Sequence, residues 1–180
     1  MSRDGTLLDL HTVEFKRLLP GPIELAWEYL TKPELLKTWF ADVTLEPRAG
    51  GAVDVRFSEE TCGGHTGGVH GTIREFRPPH IIVFSWIQRH PQPDGSMKDS
   101  DEGELRFELS EKGDKVLLTL LHSGLPTPEL TSHCAGWHGY LDNLESRISG
   151  GDAIDFMASF NRRHPHYQER LVALQRSGTA

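Results

Sequence analysis

Apolar residues recur along this chain with two different periods, and the switch between them organises it. From Leu10 to Leu19, Val13, Phe15 and the pair Leu18, Leu19 alternate roughly with polar residues, as a half-buried strand requires. Gly21 and Pro22 then read as a cap and first helical position, with Glu24 in the positively polarised first turn and Ile23, Ala26, Trp27 and Leu30 on one face. Thr31 and Pro33 restart the chain into a second short helix through Leu35, Leu36 and Trp39, ending near Phe40. Period two returns after that. Val53, Val55 and Phe57 alternate with Asp54 and Arg56, and Leu105, Phe107 and Leu109 with Glu104, Arg106 and Glu108, each giving one dry and one wet face. Between them lie Val69 to Phe76 and the apolar run Ile81 to Ile87, divided by the turn Arg77-Pro78-Pro79-His80, and Val116 to Leu121 completes the series.

The period changes once more in Thr127 to Gly151. Trp137, Tyr140, Leu141, Leu144 and Ile148 fall at i, i+3, i+4, i+7 and i+11, which lines up one helical face, and Gly150 and Gly151 supply a C-terminal cap. A face of that kind must cover something apolar, and the strands before it are the candidate. Strands clustered in sequence with helices at either end predict an α+β fold rather than alternating βαβ units. Beyond Gly151, Ile154, Phe156, Met157 and Phe160 predict a short helix broken near His164-Pro165, and Tyr167, Leu171 and Leu174 a second. That tail cannot bury its own apolar face, so it is expected to pack on the main domain or on a partner chain, including a second copy in a homodimer.

Composition narrows the function classes. A chain of 180 residues suits one domain with an appendage, and a net charge of -7, from 26 acidic and 19 basic residues, argues against nucleic acid as the main partner. The first residues lack a signal-peptide core, no 18-residue apolar stretch occurs, and Cys62 and Cys134 do not form a disulfide framework; the expectation is a cytoplasmic protein without a membrane span.

Six fragments in order carry a family resemblance: Trp39-Phe40 closing the helix pair, Gly50-Gly51 before a strand, Glu75-Phe76-Arg77-Pro78-Pro79, Phe84-Ser85-Trp86, Leu120-Leu121-His122-Ser123-Gly124-Leu125, and the helix with Gly136-Trp137, Tyr140-Leu141 and Leu144. Together they resemble the Hsp90 ATPase activator homologue branch of the START-like superfamily. The resemblance implies a helix-grip fold: an antiparallel sheet wrapped around a long C-terminal helix, with two small helices after the first strand. It places this START-like domain at residues 10–151, leaving 152–180 as a helical extension. It also implies a cavity between sheet and helix, where members of the superfamily hold lipids, polyketides, plant hormones or other apolar molecules and some act as cyclases or hydrolases. The branch is named for a cochaperone domain, so a chaperone is an implied partner. The chain departs from the Hsp90 activators in starting this domain within about ten residues of Met1, where they carry a separate N-terminal domain.

The residues expected to line the cavity are Trp39, Phe57, Trp86, Phe107, Leu118, Leu120, His122, Trp137, Tyr140 and Leu141. Phe107, Leu118 and Leu120 serve equally well as plain core, whereas Trp39, Trp86 and Tyr140 bring an N–H or O–H that a buried site must satisfy. Gly136 and Gly139 flank Trp137 although glycine costs a helix about 1 kcal/mol relative to alanine. Their missing side chains either leave volume for a ligand or let helix and sheet backbones approach. His122 continues the face of Leu118 and Leu120; as a neutral ring it could donate to a ligand carbonyl or act as a base, or it could bond to nearby loop backbone. Cys62, His65 and His70, with His133, Cys134 or His138, supply metal-ligating residue types, but their spacing matches no standard zinc pattern. Ser123 follows His122 on a strand and so faces away from it, without a Gly-x-Ser-x-Gly elbow. The sequence therefore predicts a binder of a small apolar or amphipathic molecule with no catalytic constellation, cofactor or metal. An interaction module and a cyclase- or hydrolase-type enzyme stand as alternatives.

Overall fold

The run Ile81-Ile82-Val83-Phe84-Ser85-Trp86 is buried at every position, which is why it does not alternate. It begins the strand that lies deepest in the sheet. The computed structural model describes residues 2–57 and 68–177. Their strands are β1 (Thr6–Leu7), β2 (Val13–Pro20), β3 (Asp42–Leu45), β4 (Ala52–Arg56), β5 (Gly68–Arg77), β6 (Ile81–Pro91), β7 (Met97–Asp99), β8 (Gly103–Lys112) and β9 (Lys115–Ser123). They form one antiparallel sheet in the order β1-β2-β9-β8-β6-β5-β4-β3, with β7 added beside the far end of β6. On the outer face Glu75, Val83 and Arg106 stand in one row across three strands, and Arg106 bonds Glu75 at 3.0 Å across Val83, so an ion pair covers this apolar position.

The described residues also form four helices: α1 (Ile23–Thr31), α2 (Pro33–Trp39), α3 (Leu130–Ile148) and α4 (Phe156–Ser177). The expected pair after the first long strand is present, with Pro22 as the N-cap of α1 rather than its first helical residue, its carbonyl accepting from the amides of Leu25 and Ala26. A 3-10 turn at Thr127–Glu129 precedes α3, so the long helix starts three residues into the stretch Thr127 to Gly151. It ends in a Schellman cap: Gly150 has φ +78, its amide bonds Arg147, and the Gly151 amide bonds Ser146. Leu130, Cys134, Trp137, Leu141 and Leu144 bury one face of α3 in the same core as the inward row of β9, Val116, Leu118 and Leu120. This is the helix-grip architecture.

The expected break at His164-Pro165 is absent. Pro165 sits inside one continuous 22-residue helix. Proline there removes the hydrogen bond to the carbonyl four residues back and costs roughly 3 kcal/mol. Packing on both sides of it offsets the cost: His164 stacks on Phe160 with centroids 5.3 Å apart and meets the Thr131 hydroxyl at 3.1 Å, and Tyr167 is wholly buried. The tail therefore packs on its own domain, along the side of α3 that faces away from the sheet. There the Tyr167 hydroxyl accepts from the Gly5 amide at 2.8 Å and meets His138 Nδ1 at 3.0 Å, tying the N-terminal segment, α3 and α4 together. Asp142 takes Arg3 at 2.9 Å and the buried Arg17 of β2 at 3.4 Å. Burial opposes ionisation of Asp142, but His138 and Arg3 beside it outweigh that and hold its carboxyl well below the usual carboxylate range.

Candidate functional site

Seven of the ten expected lining residues meet in one cluster between sheet and helix. Phe40, at the end of α2, is the link: its ring stacks on Trp137 at 5.2 Å and meets Tyr140 at 5.0 Å, Trp39 at 5.4 Å and Phe57 at 5.6 Å. Trp86 lies 6.4 Å from Phe57 and 6.0 Å from Trp137, and Phe107 meets Trp137 edge-on at 5.9 Å. Leu118, Leu120 and Leu141 are fully buried in the surrounding core. The signal that could have found Phe40 is its place directly after Trp39, where the chain leaves α2 and turns into the sheet.

Position along β9 carries His122 into this cluster, because Leu118, Leu120 and His122 share the inward face. Its ring is fully buried, and it does not bond to loop backbone. Instead the Trp137 indole N–H donates to His122 Nδ1 at 2.9 Å. An accepting Nδ1 places the proton of the neutral ring on Nε2. Burial, and the neighbouring His133, push the His122 pKa well below its ordinary value, so the ring is neutral at pH 7. His122 Nε2 and Trp86 Nε1 are both buried without a hydrogen-bond partner among the described residues, and the two rings lie edge to face at 4.8 Å. Trp39, by contrast, spends its N–H on the Tyr29 carbonyl at 2.9 Å.

The third polar group of this corner escaped the lining expectation. His133, in the second turn of α3, sits 5.4 Å from His122, and its Nδ1 lies 3.0 Å from the Glu129 carbonyl. A carbonyl only accepts, so Nδ1 carries the proton, and burial lowers the pKa of this ring too. Its Nε2 is then the accepting nitrogen of the ring. His133 and Trp86 line a polar cleft of about 10 Å³ with Ser100, Asp101 and Gly124. On the other side of the cluster a cavity of about 20 Å³ is lined by Leu30, Phe40, Val43, Val55, Phe84 and Phe107. Each has room for about one water, far below the several hundred Å³ of a preformed ligand pocket.

The two glycines of α3 differ in the room they leave. A Cβ at Gly139 would meet the Phe156 ring at 3.1 and 3.2 Å, while one at Gly136 would touch only Tyr140 at 3.9 Å. The close approach that Gly139 permits is to α4, not to the sheet, and Phe156 stacks on Tyr140 at 4.6 Å in the space so made. Of the metal-ligating candidates, Cys62 and His65 lie outside the described residues. The others face different surroundings: His70 approaches Asp99 at 3.5 Å, His133 faces His122, and His138 faces Tyr167. Among the described residues no group of three or more His, Cys, Asp or Glu could hold a metal ion. Nor is any described helix long and apolar enough to cross a membrane.

Known structures share this architecture. The protein encoded by BPP1335 from Bordetella parapertussis is 25% identical, with 92% of this chain and 89% of that one covered at a TM-score of 0.72. CalU16 from Micromonospora echinospora is 23% identical, with 91% and 87% covered and a TM-score of 0.68. A conserved protein of unknown function from Enterococcus faecalis, EF2215, is 20% identical, with 91% and 85% covered and a TM-score of 0.69. No curated protein matches the sequence. Residues 20–149, from the end of β2 to the cap of α3, match the family described as Activator of Hsp90 ATPase homolog 1-like protein, and the chain, with its helix-grip fold, belongs to that START-like family.

Proposed function

We propose that this protein binds a small, largely apolar molecule bearing a hydrogen-bond acceptor, between the sheet and α3. One observation carries the reading: Trp86 Nε1 and His122 Nε2 are two buried N–H donors without acceptors among the described residues, inside an aromatic cluster. Leaving a donor buried and unmatched costs about 1–3 kcal/mol, and a ligand acceptor would recover that. The cavities beside the cluster are too small for an organic molecule as they stand, so binding displaces rings. Phe40 and Tyr140, which meet edge to face at 5.0 Å, are the rings that move, while Trp137 keeps its bond to His122.

The test is a panel of aromatic amphiphiles added to the intact protein, followed through the indole N–H resonances of Trp86 and Trp137 and through thermal unfolding. A ligand at a hundred times its Kd raises stability by about 2.7 kcal/mol. Saturable shifts of both resonances with a rise in Tm support the reading. A spectrum unchanged across the panel, with no small molecule retained in native mass spectra of freshly purified protein, overturns it.

A further inference from the structure

The ligand-binding reading is the basis of a narrower one. The Trp137 to His122 hydrogen bond makes His122 Nε2 a donor, and the Glu129 carbonyl at 3.0 Å from His133 Nδ1 makes His133 Nε2 an acceptor. With Trp86 Nε1, the His122 ring and the two rings that flank it, Trp86 at 4.8 Å and His133 at 5.4 Å between centroids, thus offer two donors and one acceptor. The two hydrogen bonds within the protein set opposite tautomers on the two histidines. Among the described residues no lysine or arginine lines the adjoining cleft, which instead carries Asp101 and Glu129. A carboxylate would therefore enter without a counter-charge and against two acidic neighbours, at a high desolvation cost.

We infer that this corner selects a neutral carbonyl bearing an adjacent N–H or O–H, the carboxamide being its simplest form. The carbonyl oxygen accepts from Trp86 and His122, and the adjacent N–H donates to His133 Nε2. An apolar body extends from it among Phe40, Phe57, Phe107 and Trp137. The specificity does not depend on size, because it is a match of donors to acceptors in a desolvated corner, where an unmatched polar group is penalised.

Three isosteric probes separate the contributions: α-methylstyrene offers neither group, acetophenone only the acceptor, and benzamide both. Each is titrated into the full-length protein while the Trp86 indole N–H resonance is followed. Acetophenone is expected to bind three- to tenfold more tightly than α-methylstyrene, and benzamide tighter again by a similar factor, roughly the worth of one net hydrogen bond per step. His133→Leu should erase the second step and keep the first; Trp86→Phe, which keeps a ring at its site, should shrink the first. Equal affinities for all three probes, or a benzamide advantage that survives in His133→Leu, overturns the inference while leaving ligand binding intact. No response to any probe removes the ligand reading, and this inference with it.

Discussion

Trp137 donates its indole N–H to Nδ1 of His122 at 2.9 Å, joining the middle of α3 to the end of β9 inside the core. This bond sets the tautomer of a fully buried histidine and leaves its other nitrogen facing outward from the pair as a donor. Trp86, 6.0 Å away and equally shielded, has no such acceptor.

The two tryptophans should therefore respond differently to the same change. Trp137→Phe strands His122 Nδ1, whereas Trp86→Phe removes an N–H that was already unmatched. Both lose similar ring volume. In urea denaturation Trp137→Phe is expected to cost about 1–2 kcal/mol more than Trp86→Phe. Equal losses would show that the Trp137 bond adds nothing net.

Acid should unfold this protein in two stages. His122, whose pKa is lowered by burial, stays neutral in the fold while the unfolded chain takes up a proton below about pH 6.5. The unfolded state then binds more protons, so stability falls with pH by at most about 1.4 kcal/mol per pH unit for this group; the partly exposed His133 adds a smaller share. Asp142 has the depressed carboxylate, so its contribution is present above about pH 4 and is lost as pH falls further. Denaturation midpoints measured from pH 8 to 3 should show both declines, and His122→Gln should flatten the first.

Glycine replacements in α3 should divide by face. Gly136→Ala meets only Tyr140 at 3.9 Å and is expected to stabilise by up to about 1 kcal/mol through helix propensity. Gly139→Ala presses on Phe156 at 3.1 Å and should fall short of that gain. Phe156→Ala in the same chain should restore it. Thermal unfolding of the two single variants, Phe156→Ala and the double variant gives the coupling directly.

Tyr167→Phe should loosen the N-terminus more than the core. The lost hydroxyl accepts from the Gly5 amide at 2.8 Å and lies 3.0 Å from His138, so about 1–2 kcal/mol of stability is expected to go. Hydrogen exchange at Gly5 should accelerate strongly while that of the β8 and β9 amides changes only as much as global stability does.

Cys134 should behave as an inert core residue. It is fully buried and desolvation pushes its pKa up to about 12, so almost no thiolate exists at neutral pH. In a Cys62→Ser background, modification by a disulfide reagent should be slow and should track the rate of opening. Rapid labelling of the native protein would contradict the burial of this face of α3 in the core.

Most of the architecture was legible in local sequence. Val116, Leu118 and Leu120, alternating with polar or less buried neighbours, marked the inward face of β9, and the same period carried His122 to the cluster. Trp137, Leu141 and Leu144 marked the buried face of α3 by helical spacing. The short strands β1, β3 and β7 escaped because two to four residues hold too little of a period to recognise. The break expected at Pro165 was a sound local inference that long-range packing overrode.

Periodicity determined the α+β class and the buried faces of β9 and α3, because each depends on which side of an element a residue faces, and the family resemblance supplied the helix-grip arrangement of sheet and helix. Tertiary structure decided what those residues can do. It spent the room at Gly139 on Phe156 of α4, bonded Trp137 to His122, and brought His133 beside them. Such relations join residues far apart in sequence or on different elements, and no period within one segment encodes them. The donor and acceptor pattern of the Trp86, His122 and His133 corner exists only once sheet and helix have closed on each other.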